Sequence, residues 1–189
     1  MAALRRQGDI VIHESYYWKQ PLLESVLKFK DYQCLHDIDE ETYVKIEKDI
    51  FIGFYSIRKL LDTETKVTDQ LKDGKHELSW FQHIGDNVTW RNNHKIDQLY
   101  DLNKSHSENR DLWFIASRII HSFIFNLCIN ENGGFDGIMF TSDSDKNKKL
   151  YMLDVEQIIN LFELVGKNDV TRIEWSRCPE TGKEVTNAT

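Results

Sequence analysis

The densest apolar stretch of the chain, Asp111–Ile129 (DLWFIASRIIHSFIFNLCI), contains neither proline nor glycine. At about 100° per residue, Trp113, Ala116, Ile119, Ile120, Phe123, Ile124 and Leu127 cover one broad side. Phe114, Phe125 and Ile129 lie among the polar residues of the opposite side, so the pattern predicts a helix buried nearly all round. Asp111 suits its N-terminus, and Asn132-Gly133-Gly134 stops it.

The flanking patterns are shorter. Leu22, Leu23, Val26, Leu27 and Phe29 predict a helix from Pro21 to about Cys34. A longer helix follows to about Leu61, capped by Asp37 or Asp39, with Tyr43, Ile46, Ile50, Phe54, Ile57 and Leu61 on one face. Gly53 inside it marks a close helix crossing. His76–Ile84 alternates like a strand, with Leu78, Trp80 and Ile84 on one side. His94–Leu102 reads as a short helix and residues 103–110 as a polar loop. Phe135–Thr141 and Lys149–Leu153, joined by a polar turn, predict a β-hairpin. Asp154 then caps a helix carrying Val155, Ile158, Ile159, Phe162 and Val165, ended by Gly166. A second hairpin pairs Val170–Ser176, its Ile173 and Trp175 inward, with Lys183–Val185 across a turn at Pro179–Gly182. Ile10–Ile12 reads as a short edge strand, and residues 183–189 as a frayed tail. The fold expected is one α+β domain over residues 1–189. It has a helical core around a buried central helix, 111–129, and a small, mainly antiparallel sheet from the C-terminal third.

Charge narrows the functional classes. Lys and Arg number 24 against 31 for Asp and Glu in 189 residues, a formal net charge of −7. That balance offers no broad basic footprint to nucleic acid or anionic lipid and suits a soluble protein or one with a basic partner. Cys34, Cys128 and Cys178 form no CxxC pair, which points away from a zinc knuckle or a disulfide framework. No stretch has the roughly 20 apolar residues of a membrane span, nor does the start resemble a secretion signal. The expected location is cytoplasmic, without membrane contact.

Chemistry is sparse. On a helix, Ser117, Arg118, His121 and Ser122 share one face. His121 and Arg118 are the catalytic candidates if the protein is an enzyme, the imidazole moving a proton and the guanidinium stabilising developing charge, as in a metal-independent nuclease. The pair is slightly similar to the Arg-and-His motif of the HEPN ribonucleases, but only two residues separate Arg118 from His121, fewer than that motif has. The competing reading has both side chains hydrogen-bonded to core backbone or to acidic residues of the first two helices. Arg58 reads as a basic residue favoured near the end of the long helix, and it approaches His121 only if that helix crosses the central one. The loop Asp143–Asp154 resembles an EF-hand in ligand spacing. It carries Lys148 where that motif has its sixth-position glycine, which argues for a polar hairpin tip. His76, His83 and His94 lack metal-ligand spacing, so neither metal nor cofactor is expected. These observations lead to a soluble intracellular macromolecule-binding protein of inhibitor or immunity type. It would act through protein–protein contacts, with Tyr16, Tyr17 and Trp18 as the first suspects for the contact surface. The alternatives are a nuclease or phosphotransfer enzyme using His121 and Arg118, for which nucleic acid would be a partner, and a structural subunit that self-associates.

Overall fold

The apolar stripes of the N-terminal half form two packed helices. The computed structural model describes residues 12–177, 182 and 184–189. Helix α1 runs Tyr16–Gln33 and buries Leu22, Val26 and Phe29; it starts ahead of Pro21, which therefore lies inside it. Helix α2, Glu40–Asp62, is capped by the Asp39 carboxylate, which accepts the Thr42 N–H at 2.8 Å. Its buried face carries Ile46, Ile50, Phe54, Ile57 and Leu60. The short α3, Asp69–Asp73, leads into β1, His76–His83. Next come α4, Ile96–Leu99; β2, Tyr100–Arg110; α5, Leu112–Ile120; and β3, Ser122–Ile129. The chain continues with β4, Phe135–Ser142; β5, Lys149–Asp154; and α6, Val155–Gly166. Strands β6, Ile173–Arg177, and β7, Glu184–Ala188, close it. The architecture is α+β: a five-stranded antiparallel sheet in the order β2-β1-β5-β4-β3 and a separate two-stranded ribbon, β6-β7. No helix among the described residues is long and apolar enough to cross a membrane.

The expected central helix ends halfway. Residues 112–120 are helical, His121 is the C-cap, and 122–129 form edge strand β3, paired with β4. A stretch apolar on every side fits a helix surrounded by core as well as a strand covered on both faces, and periodicity alone cannot separate them. The sheet is covered on both faces here: Phe125 and Leu127 pack on the helical side, Ile124 and Phe123 on the other. The β3–β4 connection supplies the missing partner strand. Asn130 Oδ1 accepts the N–H groups of Asn132 and Gly134, and Gly133 takes φ +91°, a region open to glycine.

Three further differences have the same origin in tertiary pairing. The sheet draws β1 and β2 from the middle of the chain, beyond the C-terminal third. The segment read as a loop, residues 103–110, is most of β2; a polar strand is tolerated because it occupies a sheet edge. The tail expected to fray is β7: Ala188 is buried and its N–H donates to Asp69 Oδ2 at 2.8 Å. In the same ribbon Ile173 and Trp175 are exposed, where inward positions were expected. The expected strand at Ile10–Ile12 and turn at Pro179–Gly182 fall largely outside the described residues, although Ile12 itself is buried in the main core.

Two cores result. The larger joins α1, α2, α5 and α6 to one sheet face; the smaller puts Val88, Leu99 and Tyr100 against Phe81, Ile124 and Leu150 on the other. Helix α6 keeps the expected limits, with a capping box between Asp154 and Gln157. Gly53 is the close crossing: a Cβ there would overlap the fully buried Phe162 ring. Gly53→Ala should therefore lower stability by about 1–3 kcal/mol, because overpacking outweighs the gain in helix propensity of up to about 1 kcal/mol. Urea unfolding measures this, and a stability equal to or above that of the native sequence would count against the crossing.

Candidate functional site

Antiparallel register aligns one row of side chains across all five strands of the sheet. His106, Trp80, Tyr151, Phe140 and Phe125 occupy facing positions on β2, β1, β5, β4 and β3. They share the face covered by the helices, so the row runs from the helical core out to the β2 edge. Two neighbouring pairs make ring contacts: Trp80 stacks on His106 with centroids 4.4 Å apart, and Phe140 meets Tyr151 at 5.8 Å. Cross-strand aromatic pairs of this kind stabilise a sheet beyond their burial alone.

Charged groups gather where the row leaves the core. Period-two alternation puts Glu108 and Arg110 on the same face as His106, and α5 brings Phe114 and Arg118 over them. The guanidinium of Arg110 lies 4.4 Å from the Phe114 ring centroid and that of Arg118 lies 4.5 Å from it. Phe114 meets Tyr151 edge-on at 5.8 Å. Each guanidinium has its own carboxylate. Arg110 Nε donates to Glu108 Oε1 at 2.8 Å, and Arg118 Nε lies 2.5 Å from Asp145 Oδ2 in the β4–β5 turn. Lys149 pairs with the other oxygen of Glu108 and sits 4.2 Å above the Trp80 ring. Three cations thus share two carboxylates, leaving a local positive excess on an acidic protein.

Burial and pairing tune these groups. Burial pushes the Glu108 carboxyl up, but hydrogen bonds from Arg110 and Lys149 outweigh it and hold the group below its ordinary range. Burial, reinforced by Asp145 and Glu108, pushes the Tyr151 hydroxyl up to about 12, so it stays protonated at neutral pH. Satisfaction is incomplete. Among the described residues four buried side-chain nitrogens have no hydrogen-bond partner, and Trp80 Nε1, His106 Nε2 and Arg118 Nε, three of the four, belong to this cluster. The Arg118 ion pair is close in distance without the alignment of a hydrogen bond. Buried polar groups are ordinarily hydrogen-bonded, so three unsatisfied nitrogens in one cluster call for a physical explanation.

Of the two residues singled out from the sequence, only Arg118 enters the cluster. His121 caps α5 with its side chain exposed, and neither a hydrogen bond nor an ion pair joins it to Arg118. The shared helical face is lost because Ser122 already belongs to β3. Ser117 bonds Arg58, which lies 3.6 Å from the Trp113 ring centroid and pairs with Asp62. Arg58 therefore meets the polar strip at Ser117. In the loop resembling an EF-hand, Asp145 faces Arg118 and Asp143 takes a hydrogen bond from Lys146, so both carboxylates are engaged by cations. The same loop also reads from the sequence as a recognition surface presenting Asn147, Lys148 and Lys149; the first two are exposed, while Lys149 is half-buried and paired with Glu108. Glu108, Arg110, Trp80 and Tyr151 escaped the sequence reading as site residues. The alternation His106-x-Glu108-x-Arg110 was the available signal; it carries weight only once 103–110 is known to be a strand.

Large apolar side chains are exposed at many points, Leu27, Ile52, Ile84 and Trp90 among them, and two places bear on a contact surface. Tyr16 and Tyr17 stand on the first turn of α1, while Trp18 is half-buried against Tyr55. On the β6–β7 ribbon, Ile173, Trp175 and Val185 are 56%, 61% and 46% exposed. No family model matches the chain, and no curated protein or solved structure is significantly similar to it.

Two outcomes test this geometry. Arg118→Ala should destabilise by about 1–3 kcal/mol, since it strands the largely buried Asp145, whereas His121→Ala should change stability by no more than about 0.5 kcal/mol. Chemical denaturation distinguishes them, and a large His121 effect would restore the reading in which that ring is held by the core. The second outcome concerns pH. The folded-state pKa of Tyr151 is raised above its ordinary value of 10.0, so its contribution to stability is complete below pH 10 and is lost as pH rises through about 12. Over that window the native protein should lose more stability than Tyr151→Phe; parallel losses would show that the hydroxyl is not specially protected.

Proposed function

We propose that the protein acts by binding a partner protein, in the manner of an inhibitor or immunity protein of the cytoplasm, and that the β6–β7 ribbon is its principal contact surface. The single observation behind this reading is the ribbon itself. All five residues of β6 are exposed, and Ile173, Trp175 and Val185 present apolar area to solvent on a two-stranded element that lies apart from the main sheet. Ile173 and Trp175 share one face of the ribbon, with Val185 on the other; neighbouring exposed apolar side chains are characteristic of interaction sites, and tryptophan is among the residues most often found at the energetic centre of an interface. Among the described residues β6 pairs only with β7, so its outer edge is open to main-chain hydrogen bonding by an added strand. Tyr16 and Tyr17 offer a second exposed aromatic pair, 5.6 Å between centroids. A hydrolytic role for His121 and Arg118 lacks comparable support, because His121 is the exposed C-cap of α5 and neither a hydrogen bond nor an ion pair joins it to Arg118.

Native mass spectrometry of the protein isolated gently from its own host, alongside an Ile173→Ser/Trp175→Ser double variant, tests the proposal. The expected result is a stoichiometric partner protein on the native chain that is absent from the variant. The melting temperatures should be nearly equal, since both side chains are exposed. A partner retained by the variant rejects the ribbon as the contact surface, and a native chain that carries no partner rejects the binding role.

A further inference from the structure

The two arginines over Phe114 have one property that their structural role does not account for. Each uses its Nε side toward its own carboxylate, Arg110 toward Glu108 and Arg118 toward Asp145. Among the described residues the terminal nitrogens of both guanidiniums make no hydrogen bond, and the side chains remain 40% and 27% exposed. Both guanidiniums lie over the Phe114 ring and are held at Nε by a carboxylate, so less conformational freedom is lost when they engage a ligand. Glu108 and Asp145 act as a supporting layer that orients the forks from behind, as second-layer carboxylates do around other binding groups.

We propose that Arg110, Arg118 and the Tyr151 hydroxyl form a binding site for the oxyanion group of a small molecule, a phosphate monoester or a carboxylate. The forks supply paired N–H donors in the geometry that such oxygens accept, and the local excess of positive charge supplies the attraction. Tyr151, buried except at its margin, supplies a third donor. It stands in the aromatic row next to Phe114, and its hydroxyl feels the charges of Asp145, Glu108, Arg118 and Arg110 together. Its raised pKa keeps that hydroxyl a donor at neutral pH. Lys149, paired with the other oxygen of Glu108, adds a third positive charge from β5. The site is separate from the β6–β7 ribbon and does not depend on the partner-binding role.

The test is a titration of the full-length protein with inorganic phosphate, phenyl phosphate and benzoate, at constant ionic strength maintained with chloride. The arginine Nε–H resonances are followed by two-dimensional NMR. Saturable displacement of the Arg110 and Arg118 peaks is expected, and comparing phenyl phosphate with benzoate identifies which oxyanion the site prefers. Arg110→Lys and Arg118→Lys keep the charge and the ion pairs while removing the forks; each should weaken binding about tenfold or more. Tyr151→Phe should weaken it with little change in fold, providing a variant that does not disturb either carboxylate. Absence of saturable displacement overturns the proposal, as does unchanged affinity in the lysine variants. Binding of a short RNA or DNA strand without binding of the small anions overturns it in favour of a nucleic-acid surface.

Discussion

The seating of the Phe162 ring in the notch at Gly53 is the constraint on which the helical layer depends. Phe162 also meets Phe29 of α1 at 5.6 Å and Phe54 of α2 at 5.2 Å, and Phe29 meets Phe135 of β4 at 5.8 Å. One aromatic cluster thus joins three helices and the sheet, and all four rings are fully buried. A side chain of any size at position 53 would force α2 away from α6, and close packing transmits such a displacement to every element that shares the core. The position of α5, and with it of Phe114 and Arg118, follows from the way α2 is held.

The helix-to-strand change at His121 is the second organising feature. By ending α5 after nine residues, the chain places Arg118 near the end of a short helix and immediately begins the β3 edge strand. Phe114 and Arg118 then lie against the β4–β5 turn and the outer row of the sheet. A continuous helix through residue 129 would instead have carried Arg118 and His121 along one surface, with no route to Asp145 for the first and a shared site with the second. The local folding decision therefore determines which functional groups meet.

Charge is distributed against the average. The chain carries a net −7, yet around Tyr151 the cations outnumber the carboxylates, and each cation lies against an aromatic ring: Arg110 and Arg118 on Phe114, Lys149 on Trp80. Cation–π contacts hold these groups in place without neutralising them, unlike additional carboxylates. The ribbon differs in kind, with exposed apolar area and few constraints. One surface is thus charged and held by aromatic contacts, the other apolar and exposed.

Several elements were legible in the sequence because their signals are local. The Asp39 and Asp154 caps, the stripe of α2, the β4–β5 hairpin, α6 and the close crossing at Gly53 all follow from contacts within a few residues or from a single side-chain volume. The α+β class follows from them. The extent of α5, the strand character of residues 100–110 and the ordering of the C-terminal strand were decided by pairing with distant segments. No property of Ser122–Ile129 or Lys104–Arg110 states which strand will lie beside it. The same holds for the candidate site. Arg118 was visible as a polar residue in an apolar run. Its partners Asp145, Phe114 and Tyr151, and the company of Arg110 and Glu108, depend on sheet register, which shifts every side chain to the opposite face when it moves by one residue.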